Sequence, residues 1–202
     1  MNRTLHYWLS VDEDKFKHSR VFSGRNYLLK HCMTFLPANP IACEVGVAEG
    51  FFSENILNIL NPEKLFLIDL YQHSSSHNAY LPGNHFSYIT EKFKNNIRVF
   101  IKKGLSWDML NTLESDSLDY LYIDGDHSYA SVQKDIQAAY RVVKSGGIIQ
   151  LNDYTTFSPI ENIRYGVVHA VNEFIQKYSP EVLGVSLDKD GYNDIAIRLL
   201  KP

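Results

Sequence analysis

Two short polar runs, Asp124-Gly125-Asp126-His127 and Asn152-Asp153, each close an apolar stretch, in "LDYLYID" (118–124) and "GIIQLND" (147–153). Apolar runs of that length read as strands buried on both faces. Neighbouring strands lie about 4.8 Å apart, so their ends would bring Asp124, Asn152 and Asp153 around one point. Three oxygen ligands suit a hard divalent cation such as Mg²⁺, which keeps water or substrate oxygens in its other positions. His127 follows Asp124 by three residues, and a loop turn there aims its imidazole at an oxygen bound at the same point. An unperturbed imidazole, with a pKa of about 6.5, suits proton transfer near neutrality. The plainer alternative is that these groups are strand-end polar residues, with Asp126 or Ser128 capping a helix that begins at Tyr129.

A second constellation lies earlier in the chain. "EVGVAEG" (44–50) ends an apolar run and frames a turn with Gly46 and Gly50, where backbone can approach a ligand closely. The spacing is GxxxG rather than GxGxxG, which argues against a dinucleotide and so against a nucleotide-linked oxidoreductase. Glu44 inside that apolar run is costly unless it is paired or meets a polar ligand. Asp69 closes the next apolar run, "KLFLID", 23 residues after Gly46. An acid at about that distance from the turn is placed to accept hydrogen bonds from ribose hydroxyls. Ser106 and Trp107, after a third strand, are candidates to flank an adenine ring, although Trp107 reads equally as a core residue of the following helix.

These residues need strands to carry them and helices to separate the strands. Strands are expected at 41–46, 64–69, 97–103, 118–124 and 147–153. Helices are expected at 51–60, 129–144 and 163–178, with Gly146-Gly147 stopping the second. "EVLGVSL" (181–187) and "YNDIAIRLL" (192–200), joined by "DKDG", read as an antiparallel hairpin. The alternation predicts a Rossmann-like α/β fold: a doubly wound, mostly parallel, seven-stranded sheet with an antiparallel C-terminal hairpin and helices on both faces. Ligands bind such sheets beyond the carboxyl ends of the strands, where all the polar runs fall. Residues 1–202 read as one domain, with an N-terminal helical cap over 1–40 (helix from about Phe16 to Phe35) and a cofactor-binding core over 41–202. The segment 71–88, with His73, His77 and His85, reads as a loop at the same edge.

Composition narrows the function classes. The 202 residues are 45% hydrophobic and 21% charged, which is ordinary for a globular protein. A net charge of −3 offers no bulk attraction to phosphate polymers, so nucleic acid is not an expected partner. Two cysteines, Cys32 and Cys43, are too few for a disulfide framework. The N-terminus has no apolar run suited to a signal peptide, and no segment suits a membrane span, so the cytoplasm is the expected location. A homo-oligomer is left open.

The chain from about Ala42 to Leu200 resembles the class I S-adenosylmethionine-dependent methyltransferases, through "EVGVAEGFFSENIL", "LFLIDLY", "KSGGIIQLNDY" and the closing hairpin. Within them, "YIDGDHSYASVQKDIQAAYRVVKSGGIIQLNDY" followed by "GVVHAVNEF" is similar to the metal-dependent macrocin and mycinamicin sugar O-methyltransferase branch. The resemblance implies S-adenosylmethionine as methyl donor, with Glu44, Gly46, Gly50, Asp69 and Ser106 at the cofactor. It implies Mg²⁺ or another divalent cation at Asp124, Asn152 and Asp153, catalysis by His127 and Asp124, and a hydroxyl acceptor on a small molecule or sugar. Asn152 stands where the sugar enzymes usually carry an acid, which removes one negative charge from the site. A metal-independent methyltransferase and a cofactor-binding scaffold are the alternative readings.

Overall fold

The computed structural model describes residues 11, 13–72 and 85–202. After a 3-10 turn at Glu13–Phe16, the elements are β1 (Arg20–Phe22), α1 (Arg25–Met33), β2 (Ile41–Val45), α2 (Phe51–Leu60), β3 (Lys64–Asp69), α3 (His85–Phe93), β4 (Val99–Lys103), α4 (Ser106–Asn111), β5 (Leu118–Ile123) and α5 (Tyr129–Val142). They continue with β6 (Val143–Leu151), β7 (Phe157–Ser158), β8 (Ile163–Arg164), α6 (Val167–Tyr178), β9 (Glu181–Ser186) and β10 (Asp194–Arg198).

The main sheet has the order β1-β9-β10-β6-β5-β2-β3-β4. The pairs from β6 to β4 are parallel, β10 runs antiparallel to both β6 and β9, and β1 lies parallel to β9. Sequence order reverses between β2 and β5, so the crevice expected of a doubly wound sheet opens at the ends of those two strands. All six residues of β5 are buried, as expected of a central parallel strand. The two faces are covered by different helices. Leu28, Leu29 and Cys32 of α1, Phe52 and Ile56 of α2, and Ile89 and Phe93 of α3 pack on the face that carries Tyr120 and Tyr122. Leu110 of α4, Val132, Ile136 and Ala139 of α5, and Val171 and Ile175 of α6 pack on the face of Leu121 and Ile123.

Four expectations are corrected. The sheet has eight strands rather than seven, because Arg20–Phe22 adds β1 at its edge. The helix expected over 16–35 is accordingly short: Gly24, at φ 148°, breaks the pattern and α1 starts at Arg25. The helix expected from Ile163 starts at Val167, because residues 157–164 form the small β7–β8 hairpin instead. The glycine pair 146–147 does not stop α5. The helix ends at Val142, and both glycines lie inside β6, where the register against β5 shifts. No helix among the described residues is long and apolar enough to cross a membrane.

Candidate active site

Between the ends of β2, β3, β4 and β5 lies a cavity of about 310 Å³. Gly46, Asp69, Ser106, Trp107, Asp124 and Gly125 are among its lining residues. Gly46 is there by necessity. Its φ is +80°, and a Cβ built on it would come 1.8 Å from the Asp124 carbonyl oxygen, so only a bare Cα lets β2 turn against β5. Its N–H donates to the Ile68 carbonyl, and the Asp124 N–H donates to the Val45 carbonyl, which ties three strand ends together.

Asp69 reaches the cavity, but its carboxylate already has work. Oδ2 accepts from the backbone N–H groups of Val47 (2.8 Å) and Ala48 (3.3 Å), and Oδ1 accepts from Tyr71 (2.7 Å). It is therefore the clasp of the glycine turn, with lone-pair capacity left for a ribose hydroxyl. His85 Nε2 contacts the Ala48 carbonyl at 2.5 Å and steadies the same turn; His73 and His77 lie outside the described residues. Trp107 is half-buried, combining the two expected roles: it lines the cavity, packs on the core and sits under Lys134, whose Nζ is 4.5 Å from the ring centroid.

Glu44 and Gly50 are not among the cavity's lining residues. Strand alternation turns Glu44 to the α1–α2 face, where Ser53 Oγ donates to its buried carboxyl. Burial holds that carboxyl well above the usual range, with Ser53 opposing the rise. Gly50 is the left-handed N-cap of α2, packed under Phe93.

At the other end of the cavity, Asp124 belongs to a second cluster. Oxygens of Asp124 and Asp153 and a ring nitrogen of His127 lie within 4.8 Å of one another. His127 Nε2 stands 3.2 Å from Asp153 Oδ2 and 3.5 Å from Asp124 Oδ1, buried and without an aligned hydrogen bond among the described residues. Burial works against charge on His127, but the adjacent Asp124 and Asp153 carboxylates outweigh it and raise its pKa. Burial pushes the Asp153 carboxyl up to about 7, opposed by His127 and reinforced by Asp124. Asp126 is spent on capping: it accepts from the Ser128 N–H (2.7 Å) and from Ser131 Oγ (3.0 Å), beside the N-cap Ser128.

Asn152 is buried beside the cluster and donates from Nδ2 to Asp194 Oδ1 at 3.1 Å. Asp194 also accepts from Gln150 (2.7 Å), and burial pushes its carboxyl up to about 6, with Arg25 opposing. Arg25, from the first turn of α1, completes the group. Its Nη1 donates to the Tyr122 hydroxyl (3.1 Å) and lies 3.8 Å from Asp124, while its Nε lies 3.8 Å from Asp194. Arg25, Asp194 and Tyr165 were not singled out from the sequence. Tyr165 stacks on the His127 ring with centroids 4.4 Å apart and an 18° tilt. A buried acid at the head of the last strand was the one sequence signal for Asp194; nothing in periodicity marked Arg25 or Tyr165.

The geometry thus joins the cavity at the Gly46 turn to an acid–imidazole cluster through one shared residue, Asp124. A methyltransferase-domain family matches residues 43–154, more than half of the chain and all of this junction. The chain belongs to this family. Its domain is an S-adenosylmethionine-dependent methyltransferase domain, and the Gly46 turn falls within the matched segment. An uncharacterised protein of Acanthamoeba polyphaga mimivirus is 38% identical over 86 residues, 38% of this chain and 36% of that protein. The match thus spans little more than a third of that relative's length. Among solved structures, a Corynebacterium glutamicum protein superposes with a TM-score of 0.62 at 18% identity, covering 96% of this chain and 83% of that one. A TDP-rhamnose 3′-O-methyltransferase of calicheamicin biosynthesis superposes at 0.59 and 14% identity, covering 86% and 77%. At these identities the superpositions speak for the fold.

Proposed function

We propose that the domain transfers the methyl group of S-adenosylmethionine to a hydroxyl of a small molecule, with a sugar as the favoured acceptor class and a divalent cation at Asp124, Asn152 and Asp153. The observation that carries this is the sharing of Asp124 between the cofactor cavity and the acid–imidazole cluster. A methyl donor in the cavity and an oxygen at the cluster would then lie side by side, and orientation of that kind supplies much of a transfer rate. The likeness to a sugar O-methyltransferase fold favours the acceptor class.

The donor set fits a hard cation on charge as well as on atom type. Asp124, Asp153 and Asp194 bring three negative charges when ionised, and Arg25 brings one positive charge. The difference is the charge of one divalent ion. When bound, such an ion lowers the pKa of a coordinated hydroxyl and fixes its position. His127 then takes the hydroxyl proton on Nε2 as the oxygen forms its bond to the methyl carbon, and the carbon–sulfur bond breaks to leave S-adenosylhomocysteine. Tyr165, stacked on the ring, holds the imidazole plane.

The test is a methyl-transfer screen over hydroxylated metabolites with labelled S-adenosylmethionine, with chelator and with Mg²⁺ or Mn²⁺. Turnover should need the cation. His127→Ala should lower it by roughly 10²–10⁴-fold while S-adenosylhomocysteine and cation binding persist. Full turnover after exhaustive chelation would overturn the metal-assisted reading. Cofactor binding with no turnover on any acceptor would favour a scaffold.

A further inference from the structure

Behind the cavity lining, under Ser106 and Gly125, lies a buried carboxylate with no part in the reaction just described. Asp135, on the inner face of α5, is 1% exposed. Its Oδ1 accepts from Ser106 Oγ, the hydroxyl that lines the cavity at the start of α4. Its Oδ2 has no hydrogen-bond partner among the described residues, and a Cβ built on Gly125 would come 3.8 Å from it, directly under the cavity lining. A serine hydroxyl has one proton and two lone pairs, whereas an ionised carboxylate only accepts. Ser106 is the sole donor to this buried acid among the described residues, so its proton is committed downward. Leaving a buried carboxylate without that proton carries the full desolvation cost. The face that Ser106 presents to the cavity is therefore an acceptor.

We infer that Asp135 is a positioning residue that fixes the Ser106 hydroxyl as a hydrogen-bond acceptor, so that the site selects the exocyclic amine of the adenine ring. This rests on the reading that the adenosine end of the cofactor lies beside Ser106, and it adds which edge of the base is read and what fixes the reader. The ring nitrogen next to the amine is itself an acceptor, so a hydroxyl locked in this sense does not pair with it. Asp135 touches neither cofactor nor acceptor and acts through Ser106.

The test compares three products in calorimetric titrations at pH 8.5. They are S-adenosylhomocysteine, its analogue lacking the 6-amino group, and its 1-deaza analogue, which keeps the amine. The wild-type protein should bind the amine-free analogue about 10- to 100-fold more weakly, the range expected for one unmade hydrogen bond in a buried site, and the 1-deaza analogue about as well as the parent. Ser106→Ala should bring the amine-dependent ratio close to one. Asp135→Ala should narrow that ratio, because the freed hydroxyl can turn to donate. A merely structural Asp135 would change affinity for all three ligands alike and leave the ratio at its wild-type value. That result would overturn the inference, as would a wild-type ratio near one or a selective loss with the 1-deaza analogue. If Asp135→Ala does not fold, Asp135→Asn, whose amide can donate to Ser106 and release its proton, should narrow the ratio in the same way, and an unchanged ratio there would overturn the inference. Failure of the wild-type protein to bind S-adenosylhomocysteine at all would refute the cofactor assignment instead, a distinct outcome.

Discussion

The contact between Gly46 and Asp124 makes the junction of the two half-sites accessible to a single methyl group. In Gly46→Ala the new Cβ would stand 1.8 Å from the Asp124 carbonyl oxygen and 2.4 Å from its carbon. Ordinary contact begins near 3.4 Å, so backbone must yield by about 1.6 Å, and both neighbours are main-chain atoms rather than side-chain ends. Two costs follow. A left-handed φ of +80° costs an alanine about 1–2 kcal/mol. Forcing a group into filled space costs roughly 1–3 kcal/mol more. The first cost can be subtracted with a control. Gly191, in the C-terminal hairpin turn, has nearly the same φ, +84°, with nothing within 4 Å of its Cβ position. Gly191→Ala should therefore lose only the conformational part.

For a domain of this size, 1 kcal/mol shifts the melting temperature by about 2–4 °C. Gly46→Ala should thus melt about 2–12 °C below Gly191→Ala by calorimetry. The backbone that yields carries Asp124, so Gly46→Ala should also weaken S-adenosylhomocysteine binding by about tenfold, which is 1.4 kcal/mol, and cation binding with it. Gly191→Ala should change neither. Equal melting temperatures for the two variants, with unchanged ligand binding in Gly46→Ala, would refute the reasoning that β2 and β5 are locked at this point.

Asp69→Ala should release three backbone N–H groups of the turn as well as any ribose contact, lowering S-adenosylhomocysteine affinity and melting temperature together; an unchanged melting temperature would show that the clasp is absent. Asp135, Asp153 and Asp194 all have carboxyls raised above the ordinary value near 3.9, to about 7, 7 and 6. In the cation-free protein their burial penalty is complete above pH 7 and is relieved as pH falls through these values, so the melting temperature should rise from pH 8 to pH 5.5. Mn²⁺ or Mg²⁺ at 100 times its dissociation constant should stabilise by about 2.7 kcal/mol, roughly 5–11 °C, and by less at pH 5.5 than at pH 8. Arg25→Ala should destabilise by about 1–3 kcal/mol, because Asp194 and Asp124 keep their charge and lose its partner, and Arg25→Lys should not restore a geometry that depends on two separate guanidinium nitrogens.

What was legible in the sequence was what repeats or punctuates. Runs such as "LDYLYI" announce a central strand because both faces must be apolar, and α2 runs from Phe51 to Leu60 as its pattern required. The polar strand ends were legible for the same reason: Asp124 and Asp153 break apolar runs at the edge where a doubly wound sheet binds ligands. Direction was harder to read. Glu44 and Asp69 looked equivalent as acids of adjoining strands, yet one residue of phase turns Glu44 into the α1–α2 layer, while Asp69, at the end of its strand, curls back onto the turn. Local signals also lost to tertiary ones. Gly146 and Gly147 carry the signature of a helix stop, but pairing with β5 and β10 drew them into a strand. The residues 20–22 carry too short a pattern to announce a strand, and only the open edge of β9 makes them one.

The same distinction bears on Asn152, where the resemblance to the sugar O-methyltransferases leads one to expect an acid. In sequence it is a missing acid. In the fold, the charge has moved next door. Asp194, brought beside β6 by the antiparallel β10, is fully buried and takes the Asn152 amide at 3.1 Å. A carboxylate at 152 would face that buried carboxylate with no proton between them, a like-charge contact that a dry site tolerates poorly. An amide answers the acid from one end and leaves its oxygen at the other. The cluster then holds two acids at its centre and one behind, with Arg25 over both Asp124 and Asp194. Asp124 and Asp153 at the strand ends supply two negative charges when ionised, and Asp194 and Arg25 behind them add one charge of each sign, so the buried acid that holds the Asn152 amide is itself answered by a cation and the total stays at two.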